Sequence, residues 1–142
     1  RLIIDSMDTA GDDMREALQN FRDRVLPRLA ASGVEPVWSD SFASGWRQYR
    51  PQQILQIYRL LQESITNVIK HSGATRVYID IQEDDLGLQI AVADNGCGMP
   101  AQPGEGRGLL SMRRRIAELG GTLEIASTEP SGTRLVARIP MA

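Results

Sequence analysis

The chain has 142 residues, enough for one domain with a substantial buried core. Its 42% hydrophobic and 24% charged residues are ordinary for a globular protein, and sixteen basic side chains against eighteen acidic ones leave a net charge of -2. That balance gives no broad nucleic-acid footprint, and the single cysteine, Cys97, excludes an internal disulfide framework and suits a reducing compartment.

No apolar run approaches the ~20 residues needed to span a bilayer, so no direct membrane contact is expected of this stretch. The chain starts at Arg1 without a methionine and reads as a piece of a longer protein, which leaves room for a membrane-anchored parent. Arg1 to Ser6 is a short apolar leading segment, either a strand or the tail of a linker. From Asp12 onward, Met14, Ala17, Leu18, Phe21, Val25 and Leu29 recur at helical spacing, and Ser32-Gly33 closes that helix. Val34 to Phe42 reads as a strand with Val37 and Trp38 as its bulky members; Trp38 is assigned to core packing and Trp46 to a surface or interdomain contact. After a loop, Pro51 suits the first turn of a long helix that runs to His71, with Ile54, Ile57, Tyr58, Leu61, Ile65 and Val68 as its apolar stripe.

Arg76 to Gln82 and Leu88 to Ala93 are two alternating runs that read as a hairpin. Asp94 to Gly108 is rich in Gly and Pro and reads as a loop. Leu109 to Leu119 reads as a helix closed by Gly120-Gly121, and Thr122 to Ser127 and Thr133 to Ile139 as two final strands. The order of elements predicts an α+β fold, a two-layer sandwich of a mixed, mostly antiparallel sheet with helices on one face, and not a doubly wound sheet. The cluster Arg113-Arg114-Arg115 reads as a solvated helix face with room for one functional member.

Four groups of residues carry chemistry. On the long helix, Glu63, Asn67 and Lys70 fall on one face, nearly opposite the apolar stripe. An ordinary wet face would do for that spacing, but an amide oxygen suits Mg²⁺ and a nearby lysine suits phosphate. Asp94-Asn95-Gly96-Cys97-Gly98-Met99 ends a strand; its glycines allow close backbone approach, and an ionised aspartate accepts a hydrogen bond from an exocyclic amine. Gly104-Glu105-Gly106-Arg107-Gly108 leads into a helix, an arrangement that suits an anion, although it has neither P-loop nor dinucleotide spacing. Ser131-Gly132-Thr133 is an unremarkable turn on its own.

Taken in order, these strings resemble a known family. Gln62 to His71 resembles the N box of the GHKL (Bergerat-fold) ATPases, Asp94 to Met99 the G1 box, Gly106-Arg107-Gly108-Leu109 the G2 box, and Gly132-Thr133 the terminal glycine-threonine element. Within that superfamily, Glu63, Asn67 and Lys70-His71 followed by Ala74 and Arg76-Val77, together with Gly108 to Leu123, are similar to sensor histidine kinases of the nitrate-sensor type. The short lid between Gly98 and Gly106 fits the same branch. The resemblance runs from about residue 50 to the end, with residues 1–50 as a less specific leading helix and strand of the same single domain.

The resemblance implies a function and a set of roles. The domain would bind ATP and Mg²⁺ and pass the γ-phosphoryl group to a histidine on a separate dimerisation domain, which in turn serves a response regulator. Asn67 would hold Mg²⁺, and Lys70 with the backbone around Gly106 and Gly108 would contact the phosphates. Asp94 would fix the adenine amino group, Gly96 and Gly98 would admit the lid and base, and Thr133 would support the adenine end. Met99, Arg107, Leu109 and His71 complete the nucleotide-lining set. Glu63 is left with two roles, direct assistance to the transfer or ordering of the metal shell. His71 is assigned to structure or to the nucleotide site and not to the phosphoacceptor, which lies on another helix. The piece alone is expected to be monomeric and cytoplasmic, its parent dimeric. Two other readings stay open: an ATP hydrolase or serine kinase on the same fold, and an interaction module without catalysis.

Overall fold

A computed structural model describes residues 14–42, 49–96, 107–128 and 131–140. The leading segment, Trp46, Cys97, Gly98, Met99 and Gly106 lie outside the described residues.

Three helices and five strands follow one another as α1 (Met14–Ala31), β1 (Glu35–Ser41), α2 (Pro51–Asn67), β2 (Arg76–Glu83), β3 (Gly87–Asp94), α3 (Arg107–Glu118), β4 (Thr122–Ser127) and β5 (Thr133–Pro140). The strands form one sheet in the order β1-β2-β3-β5-β4. β1 and β2 are parallel because a whole helix, α2, carries the chain back between them. Every other pair is antiparallel and joined by a turn or through α3.

Side chains alternate across each strand, so one face of the sheet can be greasy while the other stays polar. Val77, Ile79 and Ile81 of β2 are buried on one face, while Arg76, Tyr78 and Gln82 point out on the other. The register puts Ile79 beside Val92, Ile81 beside Ile90 and Val92 beside Leu135, so the buried face continues across the sheet. The helices pack on that face into one hydrophobic core. On α1 the six periodic positions Met14, Ala17, Leu18, Phe21, Val25 and Leu29 are all buried. Phe21 meets Tyr58 of α2 edge-on at 5.4 Å and Trp38 of β1 at 6.3 Å, so Trp38 joins the core as its bulk suggests.

The central helix α2 buries more than its stripe. Besides Ile54, Ile57, Tyr58, Leu61, Ile65 and Val68, it hides Leu60, Ser64 and Gln53. It packs against both α1 and α3 as well as the sheet, which widens the arc that water cannot reach. The hidden polar groups are satisfied: the Ser64 hydroxyl donates to the Leu60 carbonyl at 2.8 Å, and Gln53 accepts from the Arg50 N–H and donates to the Pro140 carbonyl. The first of those Gln53 bonds caps α2, with Pro51 in its first turn.

Two boundaries differ from the sequence reading. The last turn of the long helix, Val68–Ser72, is a π-turn, so the regular helical period lapses where Lys70 and His71 sit. The final helix begins at Arg107, which places Arg107 and Gly108 in its first turn and not in a loop. Gly108 can open a helix there because its bare Cα packs directly against α2.

Candidate nucleotide site

The site gathers where β3 ends, β5 begins and the π-turn after α2 leads into β2. Asp94 is the last residue of β3, and the sheet register sets it beside Thr133 of β5 and Val77 of β2. Its carboxylate accepts a hydrogen bond from the Gly96 N–H at 2.8 Å and another from the backbone N–H of Thr133. Burial nevertheless pushes the Asp94 carboxyl above the usual aspartate range, and the two N–H donors only partly offset this. A half-buried carboxylate so fixed has unused lone pairs for a ligand donor such as an amino group.

Gly132 makes this arrangement possible. It is buried at φ 123°, and a Cβ there would overlap the Asp94 carbonyl oxygen. The turn before β5 is drawn in by the Thr128 hydroxyl, which donates to the Ser131 carbonyl at 3.1 Å. The terminal glycine-threonine pair therefore acts on Asp94 directly, with Gly132 giving room and the Thr133 backbone giving a donor.

Asn95 supplies the link to the helix, a part that the sequence reading did not assign. Its Oδ1 accepts from the backbone N–H groups of Thr75 and Arg76 at 2.9 and 3.0 Å, and its Nδ2 donates to the Thr75 hydroxyl at 3.0 Å. Thr75 lies three residues beyond Ser72, the end of the π-turn. The segment that follows Lys70 and His71 is thus stitched to the turn that carries Asp94 and Gly96. The common Asx-turn chemistry of an Asp-Asn-Gly string hinted at a local bond, not at one reaching back about twenty residues.

Glu63 and Asn67 lie one turn apart on α2, and both are half-buried, while Lys70 is exposed. The three do not form one uniformly wet face. Glu63 is screened because its carboxylate rests against Gly108, where a Cβ would overlap it. Thr66 and Ser111 line the same hollow. Two clusters are therefore assembled among the described residues: Asp94, Gly96, Gly132 and Thr133 at the sheet end, and Glu63, Thr66, Gly108 and Ser111 at the α2–α3 corner. Of the basic cluster on α3, Arg113 turns back to donate to the Leu123 carbonyl at 3.1 Å and is a packing residue.

Comparison with known proteins decides the family. Residues 52–142 match the family described as histidine kinase-, DNA gyrase B-, and HSP90-like ATPase. The chain belongs to this ATPase family. Among curated relatives of the ATPase domain, the signal transduction histidine-protein kinase/phosphatase UhpB of Salmonella typhimurium is 37% identical over 91 residues, which is 62% of this chain and 17% of that protein. Sensor histidine kinase LiaS of Bacillus subtilis is 34% identical over 87 residues, covering 60% of this chain and 24% of LiaS. The match thus spans about a fifth of each relative. The fold agrees with that of solved histidine kinases: Acinetobacter baumannii AdeS superposes with a TM-score of 0.70 at 17% identity, over 97% of this chain and 75% of that one. The catalytic domain of histidine kinase ThkA gives 0.70 at 17% identity, over 91% and 92%. No helix among the described residues is long and apolar enough to cross a membrane.

Proposed function

We propose that this domain binds ATP with Mg²⁺ and transfers the γ-phosphoryl group to a histidine of a dimerising domain in the same kinase, for relay to a response regulator. The observation that carries the reading is Asp94: a half-buried carboxylate clamped by the Gly96 and Thr133 backbone donors, in the position from which the family would recognise adenine. The sensor kinases among its relatives favour a histidine as acceptor.

Asp94 orients the base, while Gly96 and Gly98 leave space for it. Thr133 supports that end through the backbone donor it gives Asp94. Lys70, exposed on the π-turn, is free to reach phosphate as a point charge, with His71 beside it. Gly106, Arg107, Gly108 and Leu109 bring the start of α3 to the phosphates, and Met99 lines the lid. No group of three or more His, Cys, Asp or Glu able to hold a metal occurs among the described residues. That donor set fits Mg²⁺, which keeps most of its shell from water and phosphate and needs one or two protein oxygens. Asn67 would supply one such oxygen, and bound Mg²⁺ would neutralise phosphate charge.

In the transfer, a nitrogen of the acceptor imidazole bonds to the γ-phosphorus as the bond to the ADP oxygen breaks, and the imidazole proton is released. Glu63 stands at the α2–α3 corner to receive that proton or to orient the attacking ring; Glu63→Gln, which keeps the hydrogen-bonding shape but not the basicity, separates the two. The domain alone acts as a monomer on the cytoplasmic side, within a dimeric parent. The test is calorimetry of ATP with and without Mg²⁺ on the wild type, Asp94→Asn and Asn67→Ala. Expected is Mg²⁺-assisted binding weakened about ten-fold or more by each substitution. A wild type that does not bind ATP would overturn the reading in favour of an interaction module.

A further inference from the structure

The seam between α2 and α3 holds more than the Glu63 corner. A hollow of about 370 Å³ opens between Arg59, Glu63 and Thr66 of α2 and Gly108, Ser111 and Arg115 of α3. A second, of about 240 Å³, lies further along the seam between Gln52 and Gln56 of α2 and Glu118 of α3, and Arg115 lines both. Together they form a polar groove that begins at the proposed transfer site and runs back along α2.

Its chemistry is unbalanced in the middle. Arg59 and Arg115 approach it from opposite helices, both are exposed, and neither has an ion-pair partner among the described residues. The carboxylates that face the groove, Glu63 and Glu118, stand towards its two ends. Beside the arginines, the Oε1 of Gln56 is shut off from water without a hydrogen-bond donor. Buried acceptors in folded proteins are nearly always paired, so a missing donor at a surface groove is what an absent partner would supply. The groove thus offers two cations and one acceptor and asks for carboxylate and an N–H or O–H.

We infer that this groove docks the phosphoacceptor helix of the kinase, with the histidine at the Glu63 end. The inference rests on the function proposed above and deepens it. At 1.5 Å per residue, Arg59 lies about 6 Å from Glu63 along α2 and Gln56 about 10 Å. A helix lying in the groove therefore presents an acidic residue about one turn from its histidine, to Arg59 and Arg115, and an amide or hydroxyl donor about two turns away, to Gln56. Charge pairing of this kind sets register and encounter rate more than ground affinity. It also gives a role to Arg115 within a basic cluster whose other member, Arg113, serves packing.

The experiment uses the intact kinase that carries this domain, with Arg59→Glu and Arg115→Glu, both exposed positions where folding is insensitive to charge. The rate of histidine phosphorylation at saturating ATP is expected to fall about ten-fold or more in each, with ATP affinity within about two-fold of wild type. Reversing each Asp or Glu of the acceptor helix in turn, in the Arg59→Glu background, is expected to restore the rate at one position. Gln56→Met, which removes the unpaired acceptor, should slow transfer while leaving the melting temperature unchanged or raised. Equal transfer rates in wild type and both charge variants would overturn the docking inference and leave the proposed function standing. Loss of ATP affinity in the charge variants would assign the arginines to the nucleotide site, against the inference. A wild type that binds no ATP overturns the functional reading, and the docking falls with it.

Discussion

Gly108→Ala tests the α2–α3 corner, because its effects on stability and on function should part. Gly108 is in the first turn of α3 with no positive φ, so alanine is compatible with its backbone and gains up to about 1 kcal/mol of helix propensity. The new Cβ would come 2.9 Å from Glu63 Oε1 and closer still to Oε2, against an ordinary separation of about 3.5 Å. The obstacle is the far end of a flexible side chain, which can retreat by about 1 Å through a rotamer change costing about 0.5–1.5 kcal/mol. The two terms nearly cancel, so the melting temperature should move by no more than roughly 4 °C in either direction. The catalytic effect does not cancel. A reacting or orienting group displaced by about 1 Å loses on the order of a hundred-fold in rate. Thermal melts of the domain, with phosphorylation rates at saturating ATP in the intact kinase, read the two effects separately. A destabilisation of about 3 kcal/mol or more would refute the claim that only a side chain blocks the position, and an undiminished rate would refute the placement of Glu63 at the transfer site.

Two further perturbations act on the sheet end. Burial raises the Asp94 carboxyl, so its protonated form stabilises the fold: that contribution is full below the unfolded aspartate value near 3.8 and is lost as pH rises through the folded value. Asp94→Asn removes this penalty, so urea unfolding should show the variant gaining on the wild type between pH 4 and pH 7 while ATP binding disappears; a variant that loses ground over that interval contradicts the burial argument. Gly132→Ala meets backbone on a positive-φ residue and has no flexible neighbour to yield, so a loss of at least about 2 kcal/mol is expected, seen as a melting point lowered by roughly 6 °C or more. Weaker ATP binding should accompany it, since Asp94 and the Thr133 donor shift together; an unaltered melting point would show that the hairpin can move away.

How far the sequence discloses this molecule depends on whether a feature is local. The burial of α1 follows from spacing alone, since all six residues chosen for their period are buried. The paired runs around Asp84 and Asp85 become β2 and β3, and the short loop between them leaves an antiparallel hairpin as the natural connection. Leu60, Ser64 and Gln53 escape that reasoning, because their burial comes from α1 and α3 packing on α2 and not from any period within it. The π-turn at Val68–Ser72 is equally silent: nothing in its composition distinguishes it from one more α-helical turn. In the site, Asp94 and Thr133 were legible as chemistry and their partnership was not. It depends on a register between strands that lie about forty residues apart in the chain.

The same distinction explains the division of labour among the motif residues. A residue that must touch a ligand cannot also spend all its polar atoms on the fold, and Asp94 keeps lone pairs open at the expense of burial. The turn that carries it therefore needs holding by others. Asn95 does this with three hydrogen bonds to Thr75 and Arg76, while Gly132 removes the Cβ that would push β5 away. The carboxylate of Glu63 is likewise left without a protein donor among the described residues, and Gly108 leaves the space it occupies. In both clusters a chemically equipped side chain is paired with a glycine from a distant motif. That pairing accounts for why four motifs, each ordinary alone, carry information as an ordered set: the polar member supplies the chemistry, and the glycine of another motif fixes how closely the backbone can approach it.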